Sequence, residues 1–179
     1  MKIIKDRFEL WQVLPKGMVI AELGTFVGEY AQKIIDLAQP KELYIVDIFA
    51  NSAGTQWNVH VDNMSLYFDI LTEKYHNNKN VYVVKSTTKD FLETIFENTL
   101  DAVYIDADHS YTAVRLDLDL SYLKIKSGGF ICGHDYDHQS VKQALDEFLA
   151  KTGLELLYLT DEKDTDRSFI IQKNSGEIG

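Results

Sequence analysis

Two short segments of the sequence combine carboxylates with imidazoles. The first contains Asp106 and His109, and the second contains His134, Asp135 and His138. A histidine can be neutral near pH 7 and can then accept a proton as a general base. Paired carboxylates suit Mg²⁺, whereas imidazole favours zinc or iron. The residue types therefore indicate proton transfer or metal binding, and the simpler alternatives are histidines that order a loop and an aspartate that caps a helix.

A glycine-containing segment near the amino terminus offers a second kind of chemistry. Gly24 and Gly28 follow an apolar run, and Asp47 ends the next run. Glycine lets the backbone turn tightly and approach a ligand, and a carboxylate at the end of the second strand can accept both hydroxyls of a ribose. The dinucleotide fingerprint G-x-G-x-x-G is not met. A tight turn without a ligand and a solvated aspartate are the alternatives.

Seven apolar runs predict the strands that position these residues. They are Met18–Leu23, Leu43–Asp47, Val81–Val84, Asp101–Asp106, Gly129–Gly133, Leu154–Leu159 and Ser168–Gln172. Helical spacing of apolar residues separates most of them. The segment from about Tyr111 to Lys124 fits both an alternating strand and a helix, and we expect a helix because parallel neighbours need a crossover. The last two strands have no helix between them and should form an antiparallel hairpin at one edge.

This alternation predicts an α/β fold with a doubly wound, mostly parallel sheet and helices on both faces. Ligands of such sheets bind outside the carboxyl ends of the strands. Neighbouring strands lie about 4.8 Å apart, so side chains that follow adjacent strands can reach a shared atom. We therefore expect Asp106, His109 and Asp135 to converge within one pocket.

Composition limits the classes of function. The chain has 179 residues, a formal net charge of -10 and one cysteine. We expect a single domain over residues 1–179, a cytoplasmic location and no membrane partner, because one cysteine gives no internal disulfide and no apolar run is long enough for a span. An acidic surface repels phosphate backbones, which argues against nucleic acid. A homo-oligomer that completes the pocket is left open.

The motifs together resemble class I S-adenosylmethionine-dependent methyltransferases. They are Glu22-x-Gly24-x-x-x-Gly28, Asp47, the segment Y-I-D-A-D-H-S-Y at 104–111 and the segment G-G-F-I-C-G-H-D-Y at 128–136. More narrowly, the chain resembles small bacterial methyltransferases with D-x-D/G-H-x-Y after the fourth strand and G-G-x-I-x-x-H-D at the fifth. The resemblance implies a seven-stranded sheet of order 3-2-1-4-5-7-6 whose last strand is antiparallel.

The resemblance also implies roles for individual residues. Asp47 would hold the ribose hydroxyls, and Ile48 would pack on the adenine. The implied cofactor-binding set is Glu22, Gly24, Thr25, Gly28, Asp47, Ile48, Ser86, Thr87 and Asp106. The implied catalytic set is Asp106, His109, His134 and Asp135, of which Asp106 and Asp135 could hold Mg²⁺. Tyr136 departs from the Asp-Asn or Asp-Asp pair that is usual in metal-dependent O-methyltransferases.

The expected function is S-adenosylmethionine-dependent methyl transfer to a small-molecule acceptor, with an oxygen acceptor as one option. A metal-dependent hydrolase built on the Asp and His cluster is an alternative, but it would leave Glu22 and Asp47 unexplained. A non-catalytic binding protein on the same fold is another. The segment Ile48–Val61, which contains Trp57 and His60, could be a lid over the acceptor or an ordinary loop.

Overall fold

The structure, a computed structural model, describes residues 1–50, 63–161 and 166–175. Most of the segment that could be a lid or an ordinary loop, including Trp57 and His60, lies outside these ranges. The strands are β1 (Lys2–Ile4), β2 (Val19–Leu23), β3 (Glu42–Asp47), β4 (Val81–Lys85), β5 (Leu100–Ile105), β6 (Ile125–Gly133), β7 (Leu156–Thr160) and β8 (Phe169–Gln172). The helices are α1 (Arg7–Val13), α2 (Glu29–Ala38), α3 (Met64–Tyr75), α4 (Thr88–Thr94), α5 (Tyr111–Lys124) and α6 (Gln139–Thr152).

All eight strands form one sheet of order β1-β7-β8-β6-β5-β2-β3-β4. The seven predicted strands occur in the predicted order, and β8 is antiparallel to both β6 and β7 as expected. The predicted number of strands was wrong, because β1 pairs in parallel with β7 at the outer edge. This three-residue strand buries only Ile4, so it has no alternation that a sequence pattern could detect.

Helices cover both faces of the sheet, which confirms the doubly wound architecture. On one face, Phe91 of α4, Leu118 of α5 and Phe148 of α6 belong to a single apolar cluster. On the other face, a second cluster joins α1, α2 and α3 to the sheet and includes Trp11 and Ile34. In the described part of the chain, no helix combines the length and apolarity that a bilayer crossing requires.

The segment that fitted two patterns is the helix α5. Ser110 caps its first turn by accepting a hydrogen bond from the Ala113 N–H. The helix buries Val114, Leu118 and Ser121, whereas Leu116 is exposed. The apparent alternation of leucines was therefore coincidental, and the helical spacing decides which of them enter the core.

The four central strands end at the same level. Leu23 of β2 pairs with Val46 of β3 on one side and with Ile105 of β5 on the other. Ile105 pairs in turn with Gly133 of β6. The residues that follow these strands therefore lie side by side along the carboxyl edge of the sheet.

Candidate functional site

Four ionisable side chains meet at the ends of β5 and β6. The His109 Nε2 atom lies 2.9 Å from Asp135 Oδ2 and 3.8 Å from Asp106 Oδ1. The His134 Nδ1 atom lies 3.2 Å from the same Asp135 oxygen and 3.9 Å from Asp106 Oδ1. The structure thus brings together all four residues of the predicted catalytic set.

Asp135 binds the two imidazoles and does not cap the next helix. The N-cap position of α6 is occupied by His138, and the Asp135 side chain points instead to His109 and His134. The backbone of Asp135 is left-handed, with φ of 57°. Such a conformation is uncommon outside glycine, although aspartate tolerates it, and it turns the chain sharply after β6.

The electrostatics of this cluster favour an ionised Asp135 and a protonated His109. Burial tends to raise the pKa of Asp135, but the contacts with His109 and His134 outweigh it and hold that pKa well below its usual range. The neighbouring carboxylates of Asp106 and Asp135 raise the pKa of His109 to about 10. Burial lowers the pKa of His134, yet Asp135 and Asp106 shift it upward overall. In this arrangement His109 is a proton donor at neutral pH, and it becomes a base only when another group displaces it from the carboxylates.

The same cluster could hold a divalent cation. One ligand atom each from Asp106, His134 and Asp135 lies within 4.8 Å of the other two. The two aspartates suit Mg²⁺, and the imidazole adds a donor that zinc or iron prefers. His138, which the hydrolase hypothesis includes, places its Nδ1 atom 2.8 Å from Ser140 Oγ at the start of α6.

A buried carboxyl group lies at the end of β2. Glu22 is 1% exposed, and its Oε2 accepts a hydrogen bond of 2.7 Å from the Thr25 hydroxyl. Burial raises the pKa of Glu22 to about 8, and the negative charges of Asp106 and Asp47 act in the same direction. Glu22 is therefore mainly neutral at pH 7 in this structure.

Gly24 and Gly28 are needed for packing as well as for backbone freedom. Both residues have a positive φ, of 89° and 80° respectively. A Cβ atom at Gly24 would clash with the carbonyl oxygen of Asp106 and lie 2.6 Å from the Ala107 Cα atom. A Cβ atom at Gly28 would overlap the side chain of Leu71 in α3. The sequence predicted close approach to a ligand, and the structure adds close approach to the chain itself.

Asp47, the residue predicted to bind the ribose, is oriented by main-chain N–H groups. Asp47 Oδ2 accepts a hydrogen bond of 2.9 Å from the Phe26 N–H, and Oδ1 accepts one of 2.8 Å from the Phe49 N–H. Each carboxylate oxygen retains a further lone pair for a ligand. The Ile48 side chain, which is 47% exposed, lies next to Asp47 in the chain. The Ser86 N–H donates to the Asp47 carbonyl, which brings Ser86 to the same edge.

Thr87 is placed differently from the other predicted cofactor residues. Its hydroxyl caps α4 by accepting a hydrogen bond of 3.0 Å from the Asp90 N–H. This contact explains the residue type at position 87 without a ligand.

Arg7 lies in the site and was not predicted. One terminal guanidinium nitrogen lies 3.9 Å from Asp106 Oδ2, and the guanidinium carbon lies 4.7 Å from the centroid of the Tyr30 ring. The sequence does predict an amphipathic helix from Phe8, Trp11 and Leu14. It gives no sign that the polar face of this helix reaches the end of β5, because the two segments are far apart in the chain.

A comparison with protein-family models identifies the family. Residues 21–136, which span β2 to the turn after β6, match a methyltransferase domain. The chain belongs to this methyltransferase-domain family. The matched part of the domain contains every residue of the predicted cofactor and catalytic sets, whereas Arg7 lies before it. Comparison of the sequence with curated proteins gave no significant match.

Several solved structures share this fold. SMU.1697c of Streptococcus mutans, in complex with S-adenosylhomocysteine, is 16% identical with a TM-score of 0.66, over 95% of this chain and 99% of that one. The fibrillarin of Aeropyrum pernix with bound S-adenosylmethionine is 16% identical with a TM-score of 0.65, over 92% and 72%. A methyltransferase of Aquifex aeolicus is 14% identical with a TM-score of 0.64, over 92% and 86%. At these identities the likeness concerns the fold.

Proposed function

We propose that this methyltransferase domain uses S-adenosylmethionine to methylate a small-molecule acceptor. The observation that carries the proposal is the arrangement of Asp47 and Ile48 beside the Gly24 turn. A carboxylate with free lone pairs next to an exposed apolar side chain suits a ribose and an adenine. The family match and the S-adenosyl ligands of two solved structures with this fold support the same choice.

In this proposal, different residues along the carboxyl edge bind the two parts of the cofactor. Asp47, Ile48 and Ser86 bind the adenosine part, and the Glu22–Gly28 turn together with Asp106 binds the methionine part. When bound, the cofactor supplies a methyl group on an activated sulfonium centre. Gly24 lets the turn lie directly against Asp106, so the two parts of the site have a fixed separation. Positioning of this kind can account for a large share of rate acceleration in group transfer.

The acceptor binds at Asp106, His109, His134 and Asp135. Asp135 orients both imidazoles. Either imidazole can take the proton of the acceptor once another group has displaced it from the carboxylates. A divalent cation bound by Asp106 and Asp135, with His134 beside them, would polarise an acceptor oxygen and lower its pKa. An oxygen acceptor fits this donor set well. A hydrolase has no support from the family match, which is to a methyltransferase domain.

Cofactor binding is tested by calorimetric titration with S-adenosylhomocysteine. Asp47→Ala should weaken binding by about 1–3 kcal/mol, because it leaves the ribose hydroxyls unpaired. The matched control is Asp36→Ala, since Asp36 is exposed on α2 and away from the carboxyl edge. Melting temperatures of both variants show whether the loss of the two Asp47 hydrogen bonds disturbs the fold. No heat and no thermal shift at millimolar ligand would disprove the proposal.

The acceptor site is tested by turnover of a small-molecule acceptor found by screening, with and without Mg²⁺. Activity that is lost in EDTA and restored by Mg²⁺ supports a cation at Asp106 and Asp135. Activity that resists EDTA but is lost in His109→Ala supports direct proton transfer. If Asp106→Asn and Asp135→Asn both turned over the acceptor at the wild-type rate, the acceptor would have to bind elsewhere.

A further inference from the structure

The start of α1 is held against the sheet by a chain of aromatic contacts. The Trp11 indole N–H donates a hydrogen bond of 2.9 Å to the Tyr30 hydroxyl, which in turn donates one of 2.9 Å to the Arg7 carbonyl. The Tyr30 ring packs on the Tyr104 ring with a centroid separation of 4.6 Å. Trp11 and Tyr104 are fully buried. The backbone of Arg7 is therefore fixed to both α2 and β5.

The guanidinium of Arg7 is fixed by the same residues. It lies over the Tyr30 ring, an arrangement in which the cation is attracted to the ring face. Its distance of 3.9 Å from Asp106 Oδ2 is an ion pair but is too long for a direct hydrogen bond. The side chain remains 32% exposed. Arg7 thus has a fixed position and is still accessible to a ligand.

The two oxygens of Asp106 face different groups. Oδ1 is the atom nearest to His109 and His134, on the side proposed for the acceptor. Oδ2 faces Arg7, whose ring partner Tyr30 belongs to the first turn of α2, directly after the glycine turn. Arg7 is therefore on the side of Asp106 that is nearer to the glycine turn, where the proposed function places the methionine part of the cofactor.

This side of the site is otherwise acidic. The carboxylates of Asp47 and Asp106 are near enough to Glu22 to raise its pKa. A ligand carboxylate would meet repulsion from ionised aspartates, and a cation is needed to offset it. Among the residues that the structure describes, Arg7 is the single lysine or arginine that forms an ion pair with Asp106.

We propose that Arg7 binds the carboxylate of the methionine part of the cofactor, while Asp106 faces its ammonium group. A positive and a negative side chain 3.9 Å apart are complementary to an α-amino acid, whose carboxylate and ammonium groups are attached to the same carbon. Arginine suits this task because its planar fork can donate two parallel hydrogen bonds to a carboxylate. This inference rests on the proposed function, and it adds a binding residue that lies outside the family match.

The test compares two ligands that differ by one group. S-adenosylhomocysteine has the carboxylate, and its decarboxylated analogue keeps the adenosine, the thioether and the amine. Arg7→Met should weaken S-adenosylhomocysteine binding about 10- to 100-fold, as expected for loss of a charged hydrogen bond. The same variant should bind the decarboxylated analogue within about twofold of wild type, because no partner for Arg7 is present. Arg7→Lys should retain part of the affinity, since it keeps the charge.

The matched control is Lys5→Met, which removes a neighbouring cation that is 86% exposed. It should bind both ligands like wild type. Equal weakening of both ligands in Arg7→Met would show that Arg7 only supports α1 and would overturn the inference, as would unchanged binding of both. If wild-type protein did not bind S-adenosylhomocysteine, the proposed function itself would fail. If wild type bound it and Arg7→Met bound it equally well, only the role of Arg7 would fail.

Discussion

The carboxyl edge of the sheet has two halves that hold their polar groups in different ways. In the β2–β3 half, formed by residues 22–28 and 47–48, main-chain N–H groups of Phe26 and Phe49 hold Asp47. In the β5–β6 half, formed by residues 106–109 and 134–135, His109 and His134 hold Asp135. Contacts from the backbone persist as long as the fold does, whereas contacts between ionisable side chains depend on protonation and on any bound cation. The polar groups of the first half are thus held by the fold itself, whereas those of the second half can change partners when their protonation changes.

The largest expected effect concerns Glu22, the buried carboxyl group of the β2–β3 half. The pKa of Glu22 is about 8 in the fold, above the ordinary 4.5, so folding disfavours its charged form. The unfolded chain loses this proton first, and wild-type stability therefore falls as pH rises from about 5 to about 8. Glu22→Gln removes that loss. Its stability relative to wild type should rise by about 3–4 kcal/mol over this range, measured by urea unfolding.

Asp117→Asn is the matched control for Glu22→Gln. Burial raises the pKa of Asp117 to about 6, and the residue lies in α5 rather than at the edge of the sheet. The stability that Asp117→Asn gains relative to wild type should reach its full value near pH 6. The stability gained by Glu22→Gln should continue to rise to about pH 8, so the two variants should differ in the pH at which the gain levels off. If the stabilities of Glu22→Gln and wild type changed in parallel between pH 6 and pH 8, Glu22 would already be ionised in the folded protein.

The next effect tests the charges of the β5–β6 half. Asp135→Asn removes the buried anion that two imidazoles share, and its cost should be about 2–3 kcal/mol, because unpaired buried charge is unfavourable. Asp137→Asn is the matched control, since Asp137 is paired with Arg167 at the surface. Its cost should stay below about 1 kcal/mol. Urea unfolding at pH 7 with EDTA measures both, and equal costs would remove the distinction between the two halves.

The smallest effect tests the contact that joins the halves. Gly24→Ala should cost about 2 kcal/mol, because the added methyl group meets the backbone of Asp106 and Ala107. Gly17→Ala is the control: Gly17 also has a positive φ, of 71°, but nothing lies within 4 Å of its Cβ position. It should cost only the conformational strain of about 1 kcal/mol. A thermal melt of both variants suffices, and indistinguishable values would mean that the turn can move away from β5.

The sequence predicts the β5–β6 cluster well for a topological reason. Asp106 and Asp135 each follow an apolar strand, and a helical crossover between parallel strands must bring both to the same edge. Family membership and the fold are in agreement with that prediction. The roles of the four residues stay predictions, as do those of the cofactor set.

Other features could not be predicted, because they depend on contacts between distant segments. Arg7 reaches Asp106 only because Trp11 and Tyr30 dock α1 beside β5. The backbone of Asp106 leaves no room for a side chain at position 24, and this second requirement for glycine likewise depends on how the β2–α2 turn meets β5. Patterns of apolar residues report which face of an element is buried, but not which polar residue on the other face meets a partner.

The short strand β1 has a consequence for how the protein is made. Lys2 and Ile4 pair with Tyr158 and Thr160, so β1 is synthesised long before the strand with which it pairs. Strand pairing over so long a stretch of chain is slow because it requires closure of a very large loop. The central strands can assemble while synthesis continues, whereas β1 can pair only after β7 has been synthesised. Removal of the β7–β8 hairpin should therefore leave β1 without its partner strand.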